Sequence, residues 1–495
     1  MSENTSATTP RRAKSWQLIL APISSAVPTI FIVLMTFASY VAAGVYGIAT
    51  VLAGTIISGT RIFDAITDPL LALICDRLKV GKFGRCRTFT VIGWLIMAVA
   101  VICLFNLGLG GGQGTGSLIM FTLLYIVYII GYTVFGIGAN LVQPIMTDDP
   151  KQRASLGRWQ AVYAAIVSSC FSLLLAAVLM PKHGGKLGLP LFADLSWLVL
   201  GLTFVMTLIT LIIVTIAKVD VPENYVSKVK KPASLKDVWD VLVHSRPMQM
   251  LIIAAGSDKL ALQTASQSAI NVMIFGIMLG DYKFSGSLNM INLAVTLLIL
   301  LTPAVTHFAG KEGLKKANIR WTAIGAAIYA AMWIFLIVVN PRNILANSAL
   351  KIIFIALYCA MGASKMAISA VTQPMRYDVV DYEFHRTGKY LPATVTMTYS
   401  FVDKLISSLA TTVVAVAVAT IGYTNSMPQV ADPLTNGLFW VATFLWLGMP
   451  LIGYVCTLIS MHFYKLDKET MEQVRKSNAE ARLQAAAKAE ETAAE

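Results

Sequence analysis

The chain has 495 residues, 56% of them hydrophobic and only 13% charged, with a formal net charge of +13 and a mean hydropathy of +0.69. Soluble domains carry about 25% charged residues, so the balance excludes a soluble protein, and with it a secreted or nucleic-acid-binding one, and points to a polytopic membrane protein. The six cysteines, Cys75, Cys86, Cys103, Cys170, Cys359 and Cys456, show no CxxC pair and no regular spacing, so neither a disulfide framework nor a zinc site is expected.

In chain order, a polar tail, 1–16, contains Arg11, Arg12 and Lys14. The apolar segment that follows is long enough to span, so it reads as a retained first helix and not as a removed signal peptide. A spanning helix needs roughly 20 apolar residues. Twelve such segments are expected, near 17–41, 46–77, 88–107, 117–143, 154–180, 194–217, 247–278, 284–309, 321–340, 345–372, 393–420 and 435–463. They are helices, because a β-barrel would show short alternating segments. The longest internal linker, 218–246, separates a six-helix bundle at 17–217 from a second at 247–463, and a cytoplasmic tail rich in Ala, Glu and Lys covers 464–495.

With both termini inside, the cytoplasmic segments hold 30 of the 39 Lys and Arg residues. The outer loops and outer span ends hold Lys182, Lys186, Lys283, Arg342 and Lys351. That asymmetry fixes the orientation and accounts for the net charge without a nucleic-acid partner. Gly81-Lys82-Phe83-Gly84 after the second span and Gly310-Lys311-Glu312-Gly313 after the eighth stand at equivalent points of the two halves, which suggests parallel repeats, as in major-facilitator transporters. The glycine-rich stretch Gly108–Gly116 lacks the G-K-[ST] ending of a phosphate loop and reads as a flexible outer loop. No HExxH, GxSxG or nucleophile–base constellation is present, so no enzyme activity is expected.

An ionisable residue inside a span costs about 2.5–3.5 kcal/mol on insertion scales, so it has a partner or a task. Four basic residues fall deep inside the spans: Arg61, Lys259, Lys365 and Lys404. In the second span, Asp64 and Asp68 are four residues apart, with Thr67 between them, so both carboxylates project from one face. A bound cation, a shared proton or a basic neighbour would relieve their repulsion. The bland alternative pairs Arg61 with Asp64, although one arginine does not readily satisfy two acids. Lys404 lies about ten residues inside the eleventh span and needs a carboxylate, which the second-span pair could supply; the adjacent Asp403 points about 100° away. Asp258 and Lys259 read as lying nearer the inner end of the seventh span, within reach of solvent by snorkelling. Lys365 has no evident partner in the sequence.

Arg61-Ile62-Phe63-Asp64-Ala65-Ile66-Thr67-Asp68-Pro69, Tyr377-Asp378-Val379-Val380-Asp381-Tyr382 with Thr387-Gly388-Lys389, and Tyr399-Ser400-Phe401-Val402-Asp403-Lys404-Leu405 together resemble the glycoside–pentoside–hexuronide:cation symporter family, with the second motif standing as a loop before the eleventh helix. The resemblance spans almost the whole chain and implies an all-α, twelve-helix major-facilitator fold with alternating access. It implies a Na⁺ or H⁺ site at Asp64 and Asp68, helped by Thr67 and Thr133, with Lys404 between that site and the substrate. It implies no cofactor beyond the coupling ion, a small-molecule substrate and a bilayer as partners, a monomer, and residence in a bacterial inner membrane.

The chain departs from the melibiose-type pattern in having no acid between Glu3 and Asp64 or between Asp76 and Asp148, with Gly136 and Asn140 at fourth-helix positions where the family carries an acid and a tryptophan. The galactoside pocket is therefore absent as such. The expected substrate contacts are Lys404, Ser400, Asn140, Gln143, Gln373 and Arg158, with Gln160 as an alternative to Arg158. The substrate would be a glycoside, hexuronide or related small solute; the alternatives are a non-sugar organic anion, a lysolipid, or a non-transporting sensor on the same fold. Asp76, Arg77, Asp378 and Asp381 are expected at a cytoplasmic gate. The orientation is tested by thiol labelling of intact cells in a cysteine-free background: Lys186→Cys should react with an impermeant reagent and Ser227→Cys should not; the reverse pattern would invert the topology.

Overall fold

The computed structural model describes residues 13–77, 83–106, 114–147, 150–221, 235–301, 312–388, 392–474, 476–478 and 480. Its regular structure is helical throughout these residues. In a bilayer each backbone N–H and C=O must find its partner within the protein, and a helix does this within one segment. Nine helices among the described residues are long and apolar enough to cross, and the bent pair Arg246–Ala265 and Ser268–Met278 makes ten. The two other expected spans are the helices Thr50–Arg77 and Lys283–Leu301, which stand outside that count; the first carries Arg61, Asp64, Asp68, Asp76 and Arg77.

Numbered by the twelve spans expected from the sequence, the helical segments are Ser15–Gly44, Thr50–Arg77, Arg85–Phe105, Thr115–Met146, 150–182, Leu189–Ala217, 246–278, Lys283–Leu301, Leu314–Val338, Ser348–Thr387, 392–420 and Asn436–Phe463. The tenth runs well beyond the apolar stretch that predicted it. It continues through Pro374 and stops only at Gly388, whose φ of 67° forms a left-handed cap. The Tyr377–Tyr382 motif, expected in a loop, is thus helical. Hydropathy ended the span at the polar residues, whereas the helix ends where its capping glycine stands.

The internal repeat is visible in the backbone. Gly84 and Gly313 cap the third and ninth spans with φ/ψ of 85°/161° and 86°/162°, a region closed to other residues. In each half the chain that leaves the last span abuts this glycine: Asp220 lies against Gly84, and Lys468 against Gly313. Asp220 accepts from the backbone N–H groups of Arg85, Cys86 and Arg87 at 2.9, 3.2 and 3.0 Å and from Arg87 Nε at 3.1 Å, which satisfies the exposed donors of the third span's first turn. The linker carries a short helix, Leu235–His244. Arg386 Nη2, at the inner end of the tenth span, donates to its Asp240 at 2.8 Å and holds that carboxyl below its ordinary pKa.

The halves meet at the end that the loop charges assign to the outside. Tyr40 donates to the Pro428 carbonyl at 2.8 Å, Thr50 N–H to Thr424 O at 2.8 Å, Leu187 N–H to Gln429 Oε1 at 3.0 Å and Asn289 Nδ2 to Ser172 Oγ at 2.7 Å. The first span breaks at Thr36–Phe37 and the seventh at Ser266–Gln267, so equivalent helices of the two halves are both interrupted. Ser268 Oγ donates to Thr36 O at 2.5 Å, joining one break to the other; irregular backbone inside a membrane protein is tolerated where such partners exist. The second and eleventh spans pack closely at Gly54, where an added Cβ would lie 2.5 Å from Ala415 Cβ; small residues allow this approach.

This closure predicts a conformational effect. Gly54→Leu should force the second and eleventh spans apart at the outer end, so that Ser407→Cys in that background becomes reactive to an impermeant reagent applied outside. Equal protection of Ser407→Cys with and without the Gly54→Leu substitution would refute a tight outer seal.

Candidate functional site

Directly beneath the outer closure, a cavity of about 240 Å³ lies between the halves, lined by residues of the first, second, fourth, seventh and eleventh spans. Its polar centre is Asp64. Thr133 Oγ1, from the fourth span, donates to Asp64 Oδ1 at 2.8 Å. Lys404 Nζ, from the eleventh, donates to Asp64 Oδ2 at 3.2 Å. One carboxylate therefore holds a hydroxyl from its own half and an ammonium from the other. Among the described residues Asp64 pairs with Lys404 and not with Arg61. Arg61 instead lies beside the hydroxyl of Tyr125 and near Tyr128 and Tyr132, which follow one another along the wall of the cavity at centroid distances of 5.9 and 6.2 Å.

Asp403 does not serve Lys404, as the geometry of adjacent helical residues requires. Its Oδ2 lies 3.7 Å from Lys259 Nζ, and both residues line the cavity. Lys259 is thus an interior residue facing a polar space, where the sequence suggested a side chain reaching toward the membrane edge. A second cavity of about 330 Å³ shares Lys259 and Asp403 with the first. It is lined by Asp258, Lys365, Ser369, Thr372, Arg376, Tyr399, Ser400 and Tyr454, among others, all from the C-terminal half.

Of the other expected site residues, Thr67 turns its hydroxyl to its own helix and donates to Phe63 O at 3.0 Å and Asp64 O at 3.3 Å. Asp68 stands one turn beyond Asp64 on the same helix; its side chain, like those of Asp76, Arg77, Gln143, Arg158 and Gln373, lies outside the described residues. Asn140 is exposed and lines neither cavity. A Cβ on Gly136 would meet nothing within 4 Å, so this fourth-span position is open, without the acid of the melibiose-type pattern. Ser400 belongs to the second cavity, away from Asp64. Asp378 is buried beside Tyr464, whose hydroxyl is pushed above its ordinary pKa by burial and by that nearby charge. The Asp381 carbonyl accepts from Asn478 Nδ2 at 2.8 Å. The inner end of the tenth span is thereby tied to the C-terminal tail.

Reasoning from sequence missed Arg376, because it lies past the apolar part of its span, and Tyr125, Tyr128 and Tyr132, because an aromatic stripe at helical spacing looks like packing. The signal that could have found the tyrosines is their common face with Thr133 opposite the charged second span.

Residues 19–468 match the family described as MFS/sugar transport protein. YagG of Escherichia coli (strain K12), named as a glycoside/cation symporter, is 24% identical over 451 residues, 89% of each chain. The isoprimeverose transporter of Lactiplantibacillus pentosus is 22% identical over 88% of this chain and 86% of its own. Among solved structures, the nucleoside transporter NupG superimposes with a TM-score of 0.60 at 13% identity, covering 92% of this chain and all of that one. The chain belongs to this family of major-facilitator transporters, within which the glycoside–pentoside–hexuronide:cation symporters are the group it fits. It is a multi-pass membrane transporter with the major-facilitator fold, not an enzyme.

The Asp64–Lys404 contact has a measurable stability signature. Asp64 is 13% exposed and Lys404 38%, so Lys404→Met should cost about 1–2 kcal/mol, the low end of the penalty for leaving a buried charged acceptor unpaired. Asp64→Asn removes the charge that needed the partner, so the double variant should melt closer to the parent than the two single losses predict. Strictly additive losses in thermal unfolding would show that the two residues do not interact.

Proposed function

We propose that the protein is a cation-coupled symporter of a small polar solute, a glycoside, a hexuronide or a relative of these, working by alternating access in a bacterial inner membrane with both termini in the cytoplasm. The observation that carries this reading is the shared carboxylate: Asp64 Oδ2 is held by Lys404 of the opposite half at 3.2 Å, while Thr133 holds Oδ1 at 2.8 Å. A Na⁺ ion or a proton arriving at Asp64 competes with the ammonium for one oxygen. Cation binding therefore weakens the hold of Asp64 on Lys404, lets the ammonium turn toward a solute in the cavity and loosens a tie between the halves. Thr133 supplies a fixed oxygen at the same carboxylate.

In this scheme Asp68 and Thr67 complete the cation site, and Lys404 links cation and solute. The tyrosines of the fourth span offer flat faces to a sugar ring. Asp76 and Arg77 at the inner end of the second span would meet Asp378 and Asp381 of the tenth when the inner side closes. Coupling means that each ligand raises the other's affinity by the same factor. The printed names of the relatives favour a glycoside-like solute, whereas the excess of cations around the cavities favours an organic anion as the second reading.

The test is solute-induced Na⁺ or H⁺ entry into proteoliposomes, screened across neutral glycosides, uronates and other organic anions. A solute should drive cation entry in the parent and fail to do so in Asp64→Asn, with cation entry reduced at least about tenfold. Undiminished coupling in Asp64→Asn would refute the assignment.

A further inference from the structure

The second cavity contains chemistry that the coupling site does not use. Lys365 lies deep in the bundle, at the eighteenth position of the tenth span, yet its side chain is exposed to this space. Arg376, three turns further on, also lines it, with its guanidinium over the Tyr399 ring at 4.3 Å from the centroid. Stacking of this kind fixes the guanidinium plane and leaves its N–H edges able to donate. Among the described residues no carboxylate lies within salt-bridge distance of either cation. The acids lining the same cavity are Asp403 and Asp258. Asp403 is engaged by Lys259 at 3.7 Å, and Asp258 Oδ1 is buried without a partner on the side facing Gly453. Ser369 and Ser400, both exposed to the cavity, add neutral donors.

A cation this deep in a membrane protein is costly unless it meets water, a carboxylate or a ligand. We propose that Lys365 and Arg376 form an oxyanion subsite, so that the solute carries a carboxylate, sulfonate or phosphate group that is bound in the C-terminal half. This assignment rests on the transport reading above and narrows its substrate class. The body of the solute would extend past the shared Lys259–Asp403 pair into the first cavity, where the tyrosines of the fourth span and Lys404 lie. Oxyanion and coupling cation then bind at separate places joined by one polar wall.

The test is binding calorimetry on the full-length protein in lipid nanodiscs, with methyl β-D-glucuronide, the neutral methyl β-D-glucoside and 3-hydroxypropane-1-sulfonate as probes. At least one anion should bind the parent, and the glucoside should bind at least about tenfold more weakly than the glucuronide or not at all. Lys365→Gln and Arg376→Gln should each weaken anion binding at least about tenfold, the usual scale for losing a charged hydrogen bond. Lys365→Arg should restore it, which separates loss of a ligand from loss of fold. Glucoside binding as tight as glucuronide binding, no anion bound by the parent, unchanged anion binding in both Gln variants, or failure of Lys365→Arg to restore it would each overturn the subsite. Titrations at several Na⁺ concentrations and pH values report on coupling separately. Anion binding that needs Lys365 but ignores both cations would sink the symport reading and keep the subsite, and cation-dependent binding indifferent to Lys365 would do the opposite.

Discussion

The arrangement turns on a single carboxylate in a place where charge is expensive. Asp64 sits mid-way along the second span, and its two oxygens are claimed by Thr133 and Lys404. At 3.2 Å an ammonium–carboxylate attraction in an effective dielectric near 20 is worth about 5 kcal/mol before desolvation is subtracted. Each partner also answers the other's desolvation, so neither can be removed without cost. Because the partners belong to different halves, that electrostatic balance is struck between two bodies that, in the proposed alternating-access cycle, separate and re-form. A cation that takes the ammonium's place changes the contact between the halves and the charge facing the solute in one event.

The outer closure gives this contact its mechanical setting. The breaks at Thr36–Phe37 and Ser266–Gln267 interrupt equivalent helices, and the Ser268–Thr36 hydrogen bond joins them. Gly54 lets the second and eleventh spans pack closely two turns and more above Asp64. The hydrogen bonds described between the halves lie at the level of Asp64 or toward the outer end, and both cavities lie beneath that seal. At the inner end the described ties run within each half: Asp220 to the third span, Arg386 to the linker helix, and Asn478 to the tenth span. These ties brace the inner ends locally, as the proposed rocking of the two halves would require.

Much of this was legible in the residues, and the reasons for the exceptions are physical. Length and apolarity placed a helix at each expected span, since backbone pairing in lipid leaves little choice, but gave no sign of the linker helix Leu235–His244. They misjudged the tenth, whose end depends on Gly388 and not on hydropathy. The repeat of glycines at Gly84 and Gly313 was readable as a pattern, and the backbone gives it matching dihedral angles. Asp64 and Lys404 stood out because charges in an apolar window demand partners, Thr133 was expected only from the family resemblance, and the three do converge. Thr67 donates its hydroxyl hydrogen to its own preceding turn, as helical threonines can, which leaves the oxygen's lone pairs for the proposed cation. Lys259 and Arg376 were undervalued because depth read along one helix says nothing about a cavity that several helices enclose.

The most direct measurement of the central claim is the linkage between cation and solute on the purified transporter. Solute affinity is determined by calorimetry across a range of Na⁺ concentrations and pH, and cation affinity across a range of solute. Competition at Asp64 predicts that one cation raises solute affinity, that solute raises affinity for that cation by the same factor, and that both effects vanish in Asp64→Asn while the outer closure stays intact. Solute binding independent of both cations in the parent, or full linkage surviving in Asp64→Asn, would contradict the account.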